Sequence, residues 1–508
     1  MSWAGAIVRR HVVAAVVAAS LVLVGVAGAF PHPGDLDPSF GGGGAGAGRV
    51  YVAPEAGPDD AHAVAVQADG KIVVAGYANF NTDFAVMRLN ADGSLDTTFG
   101  SSGHVVVPLG AAQAIAIQKD GKIVVVGRLG TSRLGIVRLT TAGLLDTSFG
   151  SGGKVIATVG IGTDSYARSV AVQADGKIVV AGAARFSTGN KAVVGRFATN
   201  GALDTTFGSA GWFSSTFGMA DGYADGVAVQ PDGKIVLDGT GSTKGAHDVI
   251  AFARLTSAGA LDSTFGSGGT TVVADPGGDN DASGLALQPD GKIVAVGDFY
   301  AASSDSVRLV RVDASGNLDA TFGSGGIATP TALTRVSGSP AGVALQGDGK
   351  LVVPLAVVDS GKPIFAIARY LSNGAVDTGF GTGGQARTRF GIFTGEDDAY
   401  AVTVQPDGKI VGAGATDLGD AGLQWAVARF LPEGLSRGSG VVMIVESLLD
   451  GAFSFDIICP GSGRACSGTV TIVPSIRSCE HRQPAAGCTL GGRRYSVPPG
   501  ICGDFGCR

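Results

Sequence analysis

The sequence predicts an all-β protein, a seven-bladed β-propeller followed by a small disulfide-rich β module. Two short elements recur seven times each along the 508 residues. Gln-x-Asp-Gly-Lys first occurs at Gln67–Lys71, and Leu/Val-Asp-x-x-Phe-Gly first begins at Leu36. The aspartates of the second element are 50 to 59 residues apart, and a fixed period of this size indicates one supersecondary unit per repeat.

Each repeat is predicted to contain four short strands. In the first repeat they are Arg49–Val52, Ala63–Gln67, Lys71–Gly76 and Phe84–Leu89, rich in Val, Ile and Ala and bounded by turn residues. The Asp69-Gly70 pair predicts a two-residue type I′ hairpin loop with positive φ at both positions. Seven four-stranded antiparallel units of about 57 residues are typical of a propeller. A parallel β-helix is the alternative, but it would not repeat a tight hairpin.

The strings QADGKIVVAG (67–76) and VMRLNADGSLDTTFG (86–100) are similar to the delta-60 repeats of bacterial secreted and surface proteins. The resemblance covers about residues 36–434. It implies a propeller-like repeat domain, and it implies no established activity, substrate or cofactor.

Residues 1–29 are predicted to be a secretory signal peptide. Arg9 and Arg10 precede the apolar stretch Val12–Val26, and small residues at 27–29 offer a cleavage site. A retained membrane anchor is the alternative. No later stretch approaches the ~18 apolar residues of a membrane span, so we expect a secreted or cell-surface protein with no membrane span after signal removal.

The composition of the chain excludes several classes of partner and structure. The formal net charge is −6, and an acidic protein of this size offers no basic surface for nucleic acid. Charged residues make up 16% of the chain and glycines number 84, which fits a turn-rich extracellular β protein. Hydrophobic residues at 45%, spaced as strands, argue against disorder.

A recurring arginine lies eight residues before the aspartate of the second element. Guanidinium and carboxylate groups fit bidentately, so we predict a structural Arg–Asp pair between blades; a ring of ligand-binding arginines is the alternative. All blades share the pattern, whereas a binding site usually breaks symmetry. A seventh arginine, Arg429, is expected to lack such a partner because the chain leaves the repeat at Pro432. The predicted pairs are Arg88 with Asp96, Arg138 with Asp146, Arg196 with Asp204, Arg254 with Asp262, Arg311 with Asp319, and Arg369 with Asp377.

The sixth repeat and the chain ends depart from the pattern. Six repeats carry glycine five residues after the Asp-Gly-Lys lysine, but the sixth carries Leu355, preceded by Pro354. A proline inside a strand removes a ladder hydrogen bond, so this blade is expected to be bulged or weakly paired. The ring could close if Arg49–Val52 completes the last blade.

The loops from the first to the second strand and from the third to the fourth strand form a variable face, opposite the Asp-Gly hairpins and the Leu-Asp-x-x-Phe-Gly linkers. Varied loops on a rigid scaffold usually carry function. Acidic residues, among them Asp221 with Asp225, precede the second strand in five repeats. Carboxylates are the ligands that Ca²⁺ takes in proteins. Solvated turns are the favoured alternative. The speculative calcium ligands are Asp59, Asp60, Asp279, Asp281, Asp397 and Asp398.

Function is predicted to reside on this variable face. Aromatic residues in its loops (Tyr77, Phe80, Phe186, Phe299 and Tyr300) could contact a protein or glycan partner. The histidines occur singly and no nucleophile elbow or phosphate loop is present, so the sequence leans away from an enzyme. We expect a binding or surface-interaction scaffold. An extracellular lyase or hydrolase, with or without Ca²⁺, and a purely structural surface protein are the alternatives.

The predicted propeller domain spans 30–434, and the C-terminal module spans 435–508. Its strands are predicted at Val441–Val445, Ala452–Ile458, Gly468–Val473 and Arg493–Val497. An even number of cysteines behind a secretory leader predicts up to three disulfides of undetermined connectivity, with zinc as the alternative. All six cysteines lie here: Cys459, Cys466, Cys479, Cys488, Cys502 and Cys507.

Overall fold

A computed structural model describes residues 32–432, apart from 42–45, 55–58, 80–81, 109, 130–132, 160–163, 243–246, 275–276, 302–303, 330–341, 360, 391–396 and 420–421, and six strands between 442 and 496. The predicted leader lies outside the described residues. The described part of the chain contains no helix long and apolar enough to cross a membrane.

Seven four-stranded antiparallel sheets follow one another around the ring, as the repeat predicts. Blade one is β2 (Asp60–Val66), β3 (Ile72–Ala78), β4 (Asp83–Leu89) and β5 (His104–Val107). Blade two is β6 (Ala111–Ile117), β7 (Ile123–Leu129), β8 (Arg133–Leu139) and β9 (Lys154–Ala157). Blade three is β10 (Ser165–Val172), β11 (Ile178–Phe186), β12 (Gly189–Phe197) and β13 (Trp212–Ser215). Blade four is β14 (Asp221–Val229), β15 (Ile235–Ser242), β16 (Val249–Leu255) and β17 (Thr270–Val273).

The remaining blades complete the circle. Blade five is β18 (Asp279–Leu287), β19 (Ile293–Ala301), β20 (Ser304–Val312) and β21 (Ile327–Ala328). Blade six is β22 (Ala344–Leu345), β23 (Leu351–Asp359), β24 (Lys362–Tyr370) and β25 (Gln385–Thr388). Blade seven is β26 (Asp397–Val404), β27 (Ile410–Asp417), β28 (Leu423–Phe430) and β1 (Arg49–Val52).

The ring closes because the N-terminal strand β1 joins the C-terminal blade. β1 pairs antiparallel with β28, and the register sets Arg49 opposite Ala428. The first predicted strand therefore belongs to blade seven and not to the first repeat. The outer strand of every other blade likewise comes from the repeat that follows. Each sequence repeat thus straddles two blades, which ties neighbouring blades together.

The hairpin between the first two strands of each blade differs from the predicted type I′ loop. In blade one only Gly70 of the Asp69-Gly70 pair has a positive φ, at 83°. The Gly70 N–H donates to the Gln67 carbonyl at 2.9 Å, and the Gln67 N–H donates to the Lys71 carbonyl at 2.8 Å. This is a three-residue loop in which a turn is followed by a left-handed glycine. Asp69 instead accepts a hydrogen bond from the Lys71 N–H through Oδ1, at 3.1 Å.

The innermost strand of six blades contains a β-bulge. In blade one Ala61 pairs with Gly76 and Ala63 pairs with Ala75, so His62 is the extra residue. A Cβ atom on Gly76 would lie 2.0 Å from the Asp60 carbonyl oxygen. The bulge therefore requires the glycine that follows the Asp-Gly-Lys lysine by five residues. The same shift of register occurs in blades two, three, four, five and seven.

Blade six has the short pairing that Leu355 and Pro354 lead one to expect. Its inner strand β22 covers two residues among those described, and its ladder with β23 ends at Val352. Pro354 still lies in register with Ile367 of β24, on the side away from β22. The side chain of Leu355 is buried in the core instead of leaving space for a bulge.

The recurring arginines and aspartates meet within blades, which corrects the predicted inter-blade pair. Six Nε–Oδ2 distances are 2.7 to 2.8 Å. In blade one Arg88 lies on β4 and Asp96 in the loop that follows it. Arg88 uses one nitrogen for this contact, and its Nη1 donates to the carbonyl of Thr141 in blade two, at 2.5 Å. The arginine thus links two blades, but through a backbone carbonyl.

The prediction that Arg429 lacks a partner is wrong. Its Nε donates to Oδ2 of Asp37 at 2.9 Å, and Lys409 Nζ lies 3.2 Å from the same oxygen. The guanidinium also covers the ring of Phe40 at 4.5 Å. The first Leu-Asp-x-x-Phe-Gly element, which precedes the first blade in sequence, therefore completes blade seven together with β1.

The phenylalanines of the second element pack between blades. Phe99 is fully buried with Val73 and Val86 of blade one and with Ile123 and Val125 of blade two. Its ring also lies 4.5 Å from the Arg88 guanidinium. Each blade interface thus combines one buried ring with one buried arginine.

The C-terminal part contains two three-stranded sheets. One is β29 (Val442–Leu449), β30 (Ala452–Ile458) and β31 (Ala465–Gly468), and the other is β32 (Ile476–Glu480), β33 (Gly487–Leu490) and β34 (Arg493–Ser496). Most of the strand predicted at Gly468–Val473 lies outside the described residues. The register sets Cys479 opposite Cys488. Cys459, Cys502 and Cys507 are outside the described residues, and disulfide formation in this module stays a prediction.

Candidate functional site

A cavity of about 560 Å³ opens at the centre of the variable face. The innermost strands of the blades begin there, and their Asp-Gly hairpins lie at the opposite end. The lining comes from blades one to five and blade seven, so the cavity surrounds the propeller axis. Its volume lies within the range of small-molecule sites, about 300 to 1,000 Å³.

The bulges supply one lining residue from each of six blades. An unpaired bulge residue leaves the ladder and its side chain can be re-aimed, which is why bulges often lie beside active sites. All six side chains differ, so the six-fold repeated backbone presents a chemically asymmetric ring. The residues are His62, Gln113, Arg168, Asp225, Ser283 and Tyr400.

Blades three, four and five form an acidic wall, which we define as Asp225, Asp248 and Asp281 with Arg168. The Arg168 guanidinium donates through Nη1 to Oδ1 of Asp225. The hydroxyl of Thr240 donates to the other oxygen of Asp225 at 3.2 Å. Arg168 also lies over the ring of Tyr166, 5.2 Å from its centroid.

Burial and mutual repulsion raise the pKa values of carboxyl groups at this wall. Burial, with added repulsion from Asp248, Asp225 and Asp279, raises the pKa of Asp281 to about 6. Burial also raises the pKa of Asp225, against the opposing effect of Arg168. Behind them Asp238 is completely buried, and burial followed by repulsion from Asp225 raises its pKa well above the usual range. The acidic wall therefore brings together carboxyl groups whose charged forms are destabilised by the loss of contact with water.

Blades one and seven form an aromatic wall, which we define as His62, Tyr77 and Tyr400. The rings of His62 and Tyr400 stack at 5.2 Å with 8° between their planes, and Tyr77 lies 5.1 Å from His62. The Tyr77 hydroxyl donates to Asp60, and the Tyr400 hydroxyl donates to Asp398 at 3.2 Å. Burial lowers the pKa of His62, against the effect of Asp60, so the imidazole is neutral near pH 7.

The structure places the six speculative calcium ligands in three different blades. Asp59 and Asp60 are in or beside blade one, Asp279 and Asp281 in blade five, and Asp397 and Asp398 in blade seven. The described residues contain no group of three or more His, Cys, Asp or Glu side chains arranged to hold a metal ion. Calcium binding remains an untested prediction.

Most of these carboxylates have protein partners. Asp59 accepts the Asn79 N–H at 3.1 Å, and Asp397 accepts the Phe390 N–H at 3.4 Å. Asp279 accepts the Asp248 N–H at 2.9 Å and lies 3.0 Å from His247 Nδ1. Of the six, only Asp281 lines the axial cavity.

The aromatic residues of the variable loops do not form one surface. Tyr77 turns inward to His62, and Phe80 lies outside the described residues. Phe299 is covered by the Arg308 guanidinium at 3.6 Å, and Phe186 lies 5.0 Å from Lys191 Nζ. Tyr300 is 38% exposed.

Sequence reasoning missed five of the six bulge residues as site candidates and treated Asp225 only as one of the loop acids. A signal exists: each bulge residue lies nine positions before the lysine of Asp-Gly-Lys, and this position differs in every repeat. Variation at a fixed position of an otherwise repeated strand distinguishes a site from the scaffold.

Several solved structures are similar to this chain at low sequence identity. A catalytically inactive virginiamycin B lyase from Staphylococcus aureus with quinupristin is 13% identical, with 75% of this chain and 98% of that chain covered and a TM-score of 0.43. The polysaccharide lyase Uly1 is 11% identical, with 73% and 90% covered and a TM-score of 0.43. A PQQ-bound aldose sugar dehydrogenase from Streptomyces coelicolor is 15% identical, with 63% and 94% covered and a TM-score of 0.36.

No curated protein matches the sequence significantly. The family model described as a domain of unknown function (DUF5122) β-propeller matches residues 67–99, 118–149, 173–207, 230–265, 288–322, 346–380 and 405–435. One match falls on the central strands of each blade. The chain therefore belongs to a repeat β-propeller family, and its seven DUF5122 units correspond to its seven blades.

Proposed function

We propose that this protein is an exported binding protein, and that it takes a small polar ligand in the axial cavity of its variable face. The observation that carries the proposal is the ring of six different bulge side chains that line one cavity. Scaffolding contacts recur in every blade, whereas these residues break the symmetry at one place. The proposed site is this one cavity, whereas the sequence alone predicts only that function lies somewhere on the variable loop face.

Export is part of the proposal and is supported by the predicted leader and by the resemblance to delta-60 repeats. A surface scaffold that contacts a protein or glycan through the outer loops is compatible with the same fold. The axial cavity is favoured because its lining combines charge, aromatic rings and hydrogen-bonding groups in one concave site.

An extracellular enzyme that acts in the same cavity is the second candidate. One observation favours it: His62 is held neutral and stacked on the Tyr400 ring at the cavity, and a neutral imidazole can exchange a proton with a substrate. Turnover of a bound ligand that is lost in His62→Gln, with binding retained, would distinguish the enzyme from the binding protein.

The proposal is tested by filling the cavity. A library of soluble polar compounds is screened by ligand-observed NMR against the mature protein and against Ser283→Trp, which adds a large side chain at a lining position. The matched control is Ser324→Trp, an exposed position in the outer loop of the same blade. We expect ligands that bind the natural protein and Ser324→Trp but not Ser283→Trp. If no ligand is sensitive to Ser283→Trp, the cavity is not the site.

A further inference from the structure

We propose that the axial cavity binds an organic cation with primary ammonium groups, held between the carboxylates of the acidic wall and the rings of the aromatic wall. This inference rests on the proposed function and names the ligand class of the same site.

The charge balance of the cavity is the first argument. Arg168 is the one Lys or Arg side chain among the described lining residues, and its charge is compensated by Asp225. Asp248 and Asp281 remain as additional carboxylates on the same wall. A cleft lined by an excess of one charge focuses its field and attracts ligands of the opposite charge.

Asp281 lies among other carboxyl groups of the acidic wall. Asp248, Asp225 and Asp279 all act on it with repulsion, and Arg168 is the one attractive group among the dominant influences. An ammonium group placed between Asp281 and Asp248 would replace repulsion by attraction at both carboxylates. The ligand would therefore relieve an unfavourable arrangement that the folded protein maintains.

The aromatic wall provides an independent observation, because buried polar atoms of His62 and of its neighbour Asp60 have no hydrogen-bond partner among the described residues. Asp60 is 8% exposed and its Oδ1 has no hydrogen-bond partner among the described residues; Nε2 of His62 is likewise buried without a partner. Tyr77 contacts both residues, so they share one side of β2. An unsatisfied buried acceptor destabilises the fold, because it has lost its hydrogen bonds to water without gaining others. The Asp60 carboxylate can only accept, so its Oδ1 requires a donor such as N–H, and Nε2 of His62 offers a second polar atom to the same ligand.

An organic cation fits this space better than a metal ion. Ca²⁺ requires six to eight oxygens at about 2.3 to 2.6 Å. The described residues contain no metal-binding arrangement, and a cavity of about 560 Å³ is far larger than one ion. The rings of Tyr223 and Tyr400 line the cavity and can stabilise an ammonium group through their faces.

The test measures binding to the full mature protein by isothermal titration calorimetry at pH 7.5 in 150 mM salt. The cationic probes are spermidine and glucosamine. N-acetylglucosamine, in which acetylation removes the charge, and glucuronate, which is anionic, are the matched probes. We expect binding of the two amines and none of the other two.

The variant Asp281→Asn should weaken amine binding at least about tenfold, which corresponds to 1.4 kcal/mol. Asp290→Asn makes the same change in the same blade at an exposed hairpin on the opposite face, and should leave affinity unchanged. Asp281→Asn should also melt no lower than the natural protein, because it removes a repelled carboxylate. A merely structural Asp281 would give the opposite melting result.

Amine affinity should fall as the pH decreases through about 6, where Asp281 takes up a proton. The charged groups that act on Asp281 are Asp248, Asp225, Asp279 and Arg168. Glucuronate or N-acetylglucosamine binding that is abolished by Ser283→Trp, with no amine binding, would overturn the ligand class and leave the proposed function intact. Amine binding that survives both Asp281→Asn and Ser283→Trp would overturn the site.

Discussion

Replacing Asp37 by alanine should destabilise the propeller as strongly as the same change at Asp96, although Asp37 lies 392 residues from its partner Arg429. Both aspartates are almost completely buried, at 3% and 4% exposure. Asp37 accepts hydrogen bonds from Arg429, Lys409 and Ser39. Its removal leaves the Arg429 guanidinium, 4% exposed, without its carboxylate.

The magnitude follows from the burial of the pair. Removing one partner of a buried ion pair costs about 3 to 5 kcal/mol. An unfolding entropy of about 2.1 cal/mol/K per residue over roughly 400 residues converts this loss into about 4 to 6 °C. Differential scanning calorimetry of the full chain at pH 7 measures the shift, with Asp35→Ala, an exposed neighbour, as the control. If Asp37→Ala melts with the natural protein while Asp96→Ala melts lower, the N-terminal element does not close the ring.

Three further predictions follow from the same contacts. The pKa values of Asp146, Asp204 and Asp262 are lowered by the hydroxyls of Ser148, Thr206 and Thr264, together with lysines and arginines. The stability that these carboxylates contribute is complete above the unfolded pKa of about 4 and is lost as the pH falls further. The melting temperature should therefore drop steeply between about pH 4 and 2, and a flat profile would contradict these ion pairs. Asp281, whose pKa is raised to about 6, disfavours the folded state as the pH rises from about 4 to 6, so Asp281→Asn should raise stability at pH 7 by about 1 kcal/mol after solvent screening, measured by urea denaturation. Gly182→Ala, whose Cβ would lie 1.9 Å from the Tyr166 carbonyl oxygen, should cost about 1 to 3 kcal/mol in the same assay, whereas Gly347→Ala, with open space around it, should be neutral.

The number of blades could be predicted from the sequence because the information is local. One hairpin and one Leu-Asp-x-x-Phe-Gly element recur within each repeat, and each needs only its own residues to form. The phase of the blades could not be predicted in the same way. The pairing of β1 with β28 joins segments at opposite ends of the domain, and no local pattern in Arg49–Val52 distinguishes the two possible neighbours.

The hairpin type and the arginine contacts were mistaken for a different reason. Asp-Gly is compatible with more than one turn, and the loop length is set by whether Gln67 pairs with Lys71, a fact of register. Arg88 and Asp96 were correctly singled out as residues that belong together. Their spacing alone does not reveal that Nη1 of Arg88 donates a hydrogen bond to a backbone carbonyl of the next blade.

The candidate site was the least accessible to sequence reasoning, because its members come from six separate repeats. Asp281 drew attention as a loop acid, but its importance comes from Asp248 and Asp225 beside it, which lie in another blade. His62 looked like an isolated histidine. Only the closed ring brings it against Tyr400, whose blade lies at the other end of the chain.

The bulge explains how one backbone motif can serve both the scaffold and the site. The glycine of the second strand is needed wherever the bulge occurs, since a Cβ there would meet the carbonyl of the inner strand. The bulge in turn removes one residue from the strand pairing and places its side chain at the cavity, outside the packing between blades. That residue can therefore change from His to Gln, Arg, Asp, Ser or Tyr without disturbing the buried phenylalanine and arginine of the interface. Blade six, with Leu355 in place of glycine, keeps the buried core and contributes no lining residue among those described. Ligand specificity can thus change through substitutions at one position per blade, while the stability of that blade depends on the buried phenylalanine and arginine.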